Sequence, residues 1–117
     1  MQIEIPFQDD FKDRMLQGRK EITSRSKRYG HEGDIFEAFG ARFLLRWVRR
    51  IPLRFVAQYF YKGEGFSYPG EFIKCWKRLH PRKGYSPGQL VYAHFFTIVT
   101  KYVKGENIQG AIKNEKK

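Results

Sequence analysis

No segment constrains the fold of this chain more than the run Leu90-Val91-Tyr92-Ala93-His94-Phe95-Phe96-Thr97-Ile98-Val99, where apolar, aromatic and β-branched residues follow one another almost without interruption. A run of that kind reads as a strand buried for much of its length, because a strand with one solvated face would alternate. Ile35–Phe39 and Phe43–Val48, joined through Gly40, form a hairpin. Thr23–Lys27 is extended, followed by the polar, glycine-bearing loop Tyr29–Asp34, and Met1–Ile5 is a short strand ended by Pro6.

Three segments carry the helical period instead. Phe7, Phe11 and Met15 recur every four residues, Asp9 and Asp10 sit where a helix start favours negative charge, and Gly18 closes a helix of about three turns. Pro52 is placed as a first helical residue before Leu53, Val56, Ala57 and Phe60, and that helix ends before Gly63. Ser67 stands as an N-cap with Pro69 in the first turn, and Phe72, Ile73, Trp76 and Leu79 form an apolar face that stops before Pro81. Strands and helices in this order do not alternate as in a doubly wound sheet. The expectation is an α+β fold, a small mixed β-barrel with flanking helices.

The 117 residues suffice for one domain, expected over residues 1–104, with the basic segment 105–117 as a flexible tail. The apolar runs fall short of the roughly 20 residues a membrane span needs. The acidic opening Met1–Asp10 does not read as a leader, and the single cysteine, Cys75, forms no internal disulfide, so a cytoplasmic protein is expected. His31, His80 and His94 lack the spacing of a zinc site, and no glycine-rich phosphate loop is present, so neither a metal nor a cofactor is expected. His94, inside a hydrophobic strand, reads as a hydrogen-bonded structural imidazole. Against these exclusions stands the charge: 23 Lys and Arg against 12 Asp and Glu give +11. Phosphate contacts carry most nucleic-acid affinity, so a polyanion, RNA or DNA, is the natural partner for such an excess.

The residues most able to do chemistry lie in Gly18-Arg19-Lys20-Glu21-Ile22-Thr23-Ser24-Arg25. On a strand Thr23 and Arg25 share one side, Ile22 points the other way into a core, and Lys20 reaches the same pocket only from the turn. A second polar cluster, Lys62-Gly63-Glu64-Gly65-Phe66-Ser67, holds a carboxylate between two glycines, suited to a general acid or base. By themselves these residues also fit a solvated basic strand, with Glu21 pairing with Lys20, and an ordinary loop glutamate.

The pattern Leu16-x-Gly18-Arg19-Lys20-x-Ile22-Thr23-x-Arg25, then Gly33-Asp34, then Glu64-Gly65-Phe66-Ser67 and Glu71-Phe72 with Trp76, resembles an ASCH domain of the PUA-like superfamily across about residues 1–99. The resemblance implies a β-barrel with flanking helices and a cleft between them, in modules generally regarded as RNA-binding. It also extends to a branch of small N4-acetylcytidine amidohydrolases, whose Lys, Thr and Glu fall on Lys20, Thr23 and Glu64, with Arg25 beside them; Glu21 departs from the branch, which has Thr there.

Two readings follow from the resemblance and the charge together. In the first, a basic cleft binds RNA or a modified nucleoside through Arg19, Lys20, Arg25, Lys27, Arg28 and Tyr29, with Tyr29 and Tyr85 stacking on bases. In the second, Thr23 attacks an acetyl carbonyl, Lys20 activates it and Glu64 moves protons to the leaving amine. A protein-interaction module is a third reading, and its sign would be an exposed apolar patch on the Phe72/Trp76 helix.

Overall fold

The structure is a computed structural model that describes residues 1–101. Five strands form one mixed sheet: β1 (Gln2–Ile3), β2 (Ile22–Arg25), β3 (Ile35–Ala38), β4 (Ala41–Pro52) and β5 (Leu90–Thr100), in the order β1-β3-β4-β5-β2. β5 lies between β4 and β2, antiparallel to both, which is why its sequence is apolar on both faces. β1 pairs with β3 in parallel, and β1 and β2 are the two edges. The fold is therefore α+β as expected, but the expected closure into a barrel is not seen: no ladder joins β1 to β2 among the described residues. The expected tail over residues 105–117 lies outside the described residues, and no described helix is long and apolar enough to cross a membrane.

The core sits under the middle of the sheet. Phe36 and Phe43 stack with centroids 5.2 Å apart, Phe96 meets both edge-on, and Met15 and Leu45 close the gaps without exposure. Burying each such side chain contributes about 1.5–3 kcal/mol. The hairpin between β3 and β4 turns on Phe39 (φ 55) and Gly40 (φ 77). Positive φ at both central residues gives a turn whose twist matches the strands.

β4 runs well beyond the expected Phe43–Val48, with a register shift between Leu45 and Trp47. A bulge adds a residue to one strand and re-aims the side chains around it, and here Arg46 and Trp47 are both exposed while Leu45 and Val48 are buried.

The helices differ from expectation in their starts. The first is a 3-10 turn, Asp9–Phe11, running into α1 (Lys12–Leu16), shorter than the three turns expected. Gln8 is still extended after Pro6, and Gly18, at φ 76, ends the run as expected. Pro52 is not helical. It closes β4 opposite Leu90, and α2 (Leu53–Tyr59) follows, its first donors taken by the Gln89 and Pro87 carbonyls in place of a side-chain cap. For α3 (Pro69–Leu79) the N-cap is Tyr68, not Ser67; the Ser67 N–H instead donates to the Glu71 carboxylate at 2.7 Å, which fixes the entry from outside the helix. Phe72 and Trp76 of α3 are buried, so the apolar patch that would mark an interaction module is absent from that face.

Candidate functional site

The turn after α1 is held by the Arg14 carbonyl, which accepts from both the Arg19 and Lys20 N–H groups at 2.8 and 3.0 Å. The next two N–H groups, of Glu21 and Ile22, both donate to the Gly63 carbonyl, tying the start of β2 to the turn after α2. That turn folds back on itself: Glu64 N–H donates to Phe60 O and Phe66 N–H to Tyr61 O. Gly65 holds φ 102, and a Cβ there would lie 3.3 Å from Lys20 Cβ, so only glycine lets the two turns approach this closely.

Lys20 is 3 % exposed and Glu64 also 3 %. The ammonium donates to Ile22 O at 2.8 Å, Glu64 O at 3.0 Å and Glu64 Oε1 at 3.1 Å, and stands 4.6 Å from the Phe11 ring centroid. All three of its protons are thereby engaged. Burial lowers the Lys20 pKa, and the Glu64 charge opposes the shift. Glu21, the partner read from the sequence, is exposed and takes no part. The other Glu64 oxygen, Oε2, accepts from Ser24 Oγ at 2.7 Å.

Thr23 and Arg25 form a separate pair. Arg25 Nε donates to Thr23 Oγ1 at 3.0 Å and its Nη2 to Pro6 O at 2.6 Å, while the guanidinium lies over the rings of Phe7 (4.9 Å) and Tyr29 (5.5 Å). Behind them His94 is fully buried. Its Nε2 lies 3.0 Å from the Tyr29 N–H, so it must accept there, and Nδ1 donates to Thr23 O at 3.1 Å. Acceptance at Nε2 requires the neutral imidazole, and burial lowers the His94 pKa in agreement. This is the structural role expected from its place in the strand.

Strand parity explains the division into two pairs. Thr23 is opposite His94 and Arg25 opposite Tyr92 on one face of the sheet; Ile22 is opposite Phe95 and Ser24 opposite Ala93 on the other. Because β2 is an edge strand, side chains from both faces reach one space that wraps around it.

That space is a cavity of about 540 Å³. Its polar lining includes Lys20, Thr23, Ser24, Arg25, Lys27 and Glu64, and its apolar walls include Phe7, Phe11, Tyr29, Phe72 and Trp76. His80, at the end of α3, stacks on Trp76 at 4.0 Å, and Trp76 Nε1 is buried with no hydrogen-bond partner among the described residues. The lining thus gathers Lys20, Thr23, Glu64, Arg25, Lys27 and Tyr29 from the sequence reading. Arg19, Arg28 and Tyr85 are not in it: Arg19 bonds Gln17 in solvent, and Arg28 Nε donates to Gly30 O. Ser24 went unread, and its signal was a hydroxyl at an inward parity of an edge strand. Among the described residues no three His, Cys, Asp or Glu side chains converge as a metal site would require.

No protein-family model matches the chain, and no curated protein is significantly similar to it. Solved structures share its fold. An ASCH domain from Lactobacillus crispatus superposes with a TM-score of 0.67 at 12% identity, over 85% of this chain and 79% of that one. A protein of the DUF984 family from Enterococcus faecalis V583 gives 0.59 at 22% identity, over 80% and 72%. A protein from Pyrococcus furiosus gives 0.58 at 18% identity, over 85% and 98%. The chain has the ASCH fold.

Proposed function

We propose that this ASCH-fold chain binds RNA and takes one unpaired base, or a modified nucleoside, into the cavity at the β2 edge. The observation that carries the reading is the make-up of that cavity: aromatic walls from Phe7, Phe11, Tyr29 and Trp76, a buried donor and acceptor set in Lys20, Ser24 and Glu64, and the cations Arg25 and Lys27 among its lining. Planar bases stack on aromatic faces and hydrogen-bond through their edges, while phosphates are met by Arg and Lys, and the net charge of +11 supplies the long-range attraction. A duplex offers neither a free base face nor a free edge, so the base must be single-stranded or flipped out. Binding of a short single-stranded RNA, measured against the Arg25→Gln and Tyr29→Ala variants, tests this reading. A loss in both supports it, and unchanged affinity removes it.

A second reading is favoured by one specific observation, the buried Lys20–Glu64 pair with the buried Thr23 and Ser24 hydroxyls in the same cavity. In an amidohydrolase acting on N4-acetylcytidine a hydroxyl oxygen bonds to the acetyl carbon, its proton passes to a base, and the C–N bond breaks as the leaving amine takes a proton. Water then releases acetate and restores the hydroxyl. The resemblance gives the nucleophile to Thr23 and its activation to Lys20. The hydrogen bonds favour different partners, because the Lys20 ammonium is fully engaged and Thr23 Oγ1 accepts from Arg25, whereas Ser24 already donates to Glu64. Acetate release from N4-acetylcytidine by the parent, Thr23→Ala, Ser24→Ala and Glu64→Ala proteins decides: turnover lost in the Glu64 variant and in one hydroxyl variant supports hydrolysis and names the nucleophile, and no turnover in the parent removes it.

A further inference from the structure

A second cavity, of about 480 Å³, is lined by Glu21, Ile22, Arg46, Trp47, Gly63 and Phe95 among others. Neighbouring residues divide between the two cavities: Ile22 lines the second and Thr23 the first, and Gly63 lines the second while Glu64 lines the first. The cross-strand register places Ile22 beside Phe95 and Phe95 beside Trp47, on the face away from His94.

Trp47 is 48% exposed, an unusual share for so large a ring. Its indole is propped by the edge of Phe95 at 5.2 Å, which in turn meets Phe60 at 5.5 Å, so the ring is held rather than free. The Arg49 guanidinium lies over the indole at 5.0 Å, in the position a stacked base takes. Arg46 and Arg49 are exposed and form no ion pair among the described residues. Glu21 is the one carboxylate of the lining, and a carboxylate accepts from a base amino group where it would repel phosphate. A held, exposed aromatic ring beside unpaired arginines is the arrangement that binds single-stranded nucleic acid.

We propose that this second cavity is a stacking site for another nucleotide of the single-stranded RNA whose base enters the first cavity. Trp47 is the platform, the stacking base displaces the Arg49 guanidinium from the indole so that Arg49, with Arg46, meets phosphate, and the strand passes over the β2 edge between the two. The inference rests on the reading that the first cavity takes an RNA base.

The test compares free cytidine, which offers a base but no phosphate for the arginines, with an eight-nucleotide oligocytidylate at one ionic strength, for the parent, Trp47→Ala, Arg46→Gln and Arg25→Gln proteins. Trp47→Ala and Arg46→Gln are expected to weaken the oligonucleotide, roughly tenfold for the tryptophan, and to change the affinity for cytidine by much less. Trp76 then remains as the sole tryptophan and reports on the first cavity by its fluorescence. Unchanged oligonucleotide affinity in both second-cavity variants, with a loss in Arg25→Gln, overturns the second site alone. No effect of Arg25→Gln on either probe overturns the first-cavity reading and this one with it.

Discussion

The Glu64 residue accepts twice from the Lys20 ammonium, through its backbone carbonyl at 3.0 Å and through Oε1 at 3.1 Å, in a place where neither side chain is more than 4 % exposed. A backbone acceptor holds the cation where it is even when the carboxylate is altered. The same pair joins the turn after α1 to the turn after α2, so the shape of the cavity depends on it.

Removing one member of the pair leaves the other charged and buried. Lys20→Met and Glu64→Leu are each expected to lower unfolding free energy by about 3–5 kcal/mol, and the double variant by less than the sum. Denaturant unfolding of the three proteins measures the coupling. Additive losses would mean that the pair is not a unit.

Gly65 is required by both its φ of 102 and the 3.3 Å that separates its absent Cβ from Lys20 Cβ. Gly65→Ala is expected to cost about 1–3 kcal/mol and to weaken ligand binding, because the strain falls on the turn that carries Glu64. Thermal unfolding and RNA titration of the variant check the two effects. A Gly18→Ala change, at a turn with open space around it, strains the backbone without touching the cavity, and is expected to lower stability while leaving affinity in place.

His94 makes folding pH-dependent in a stated direction. Its folded pKa is lowered from 6.5 by burial, so below that value the unfolded chain binds a proton that the folded one resists. Stability from this residue is complete above pH 6.5 and is lost as the pH falls from there toward the lowered folded value. Unfolding midpoints between pH 5 and 8 are expected to drop on the acid side, and His94→Gln is expected to flatten that part of the curve. An equal slope in parent and variant would assign the effect elsewhere.

Much of the fold was legible because its signals are local. The Leu90–Val99 run gave a buried central strand, Gly40 a hairpin, and Phe72 and Trp76 an inward helix face, each from a period or a turn residue within a few positions. What depended on distant partners was not legible. Pro52 reads as helical until Leu90 is seen opposite it, and the Leu45/Trp47 bulge, which turns Arg46 and Trp47 out to solvent, leaves no mark in the sequence. The site followed the same rule. Lys20, Thr23 and Glu64 could be chosen by type and resemblance, and strand parity alone put Thr23 beside Arg25, but the grouping of Lys20 with Glu64 and Ser24 needs the turn after α2 brought against β2, which is a property of the whole topology.

Charge and shape make separate contributions to binding. Arg25 and Lys27 line the cavity, whereas Arg19 does not and Arg28 is turned to the Gly30 carbonyl. Arg25→Gln is expected to reduce both affinity and its dependence on salt, and Arg19→Gln to change each by less. Equal effects from the two substitutions would indicate a diffuse basic surface with no focus at the cavity.

The most direct measurement is the affinity of one RNA sequence presented single-stranded and in duplex, for the parent and the Tyr29→Ala protein, over a series of salt concentrations. The account predicts salt-dependent binding that favours the single strand and loses that preference when Tyr29 is removed. Equal affinity for both forms, or a preference that survives Tyr29→Ala, would contradict the claim that the cavity receives an unpaired base.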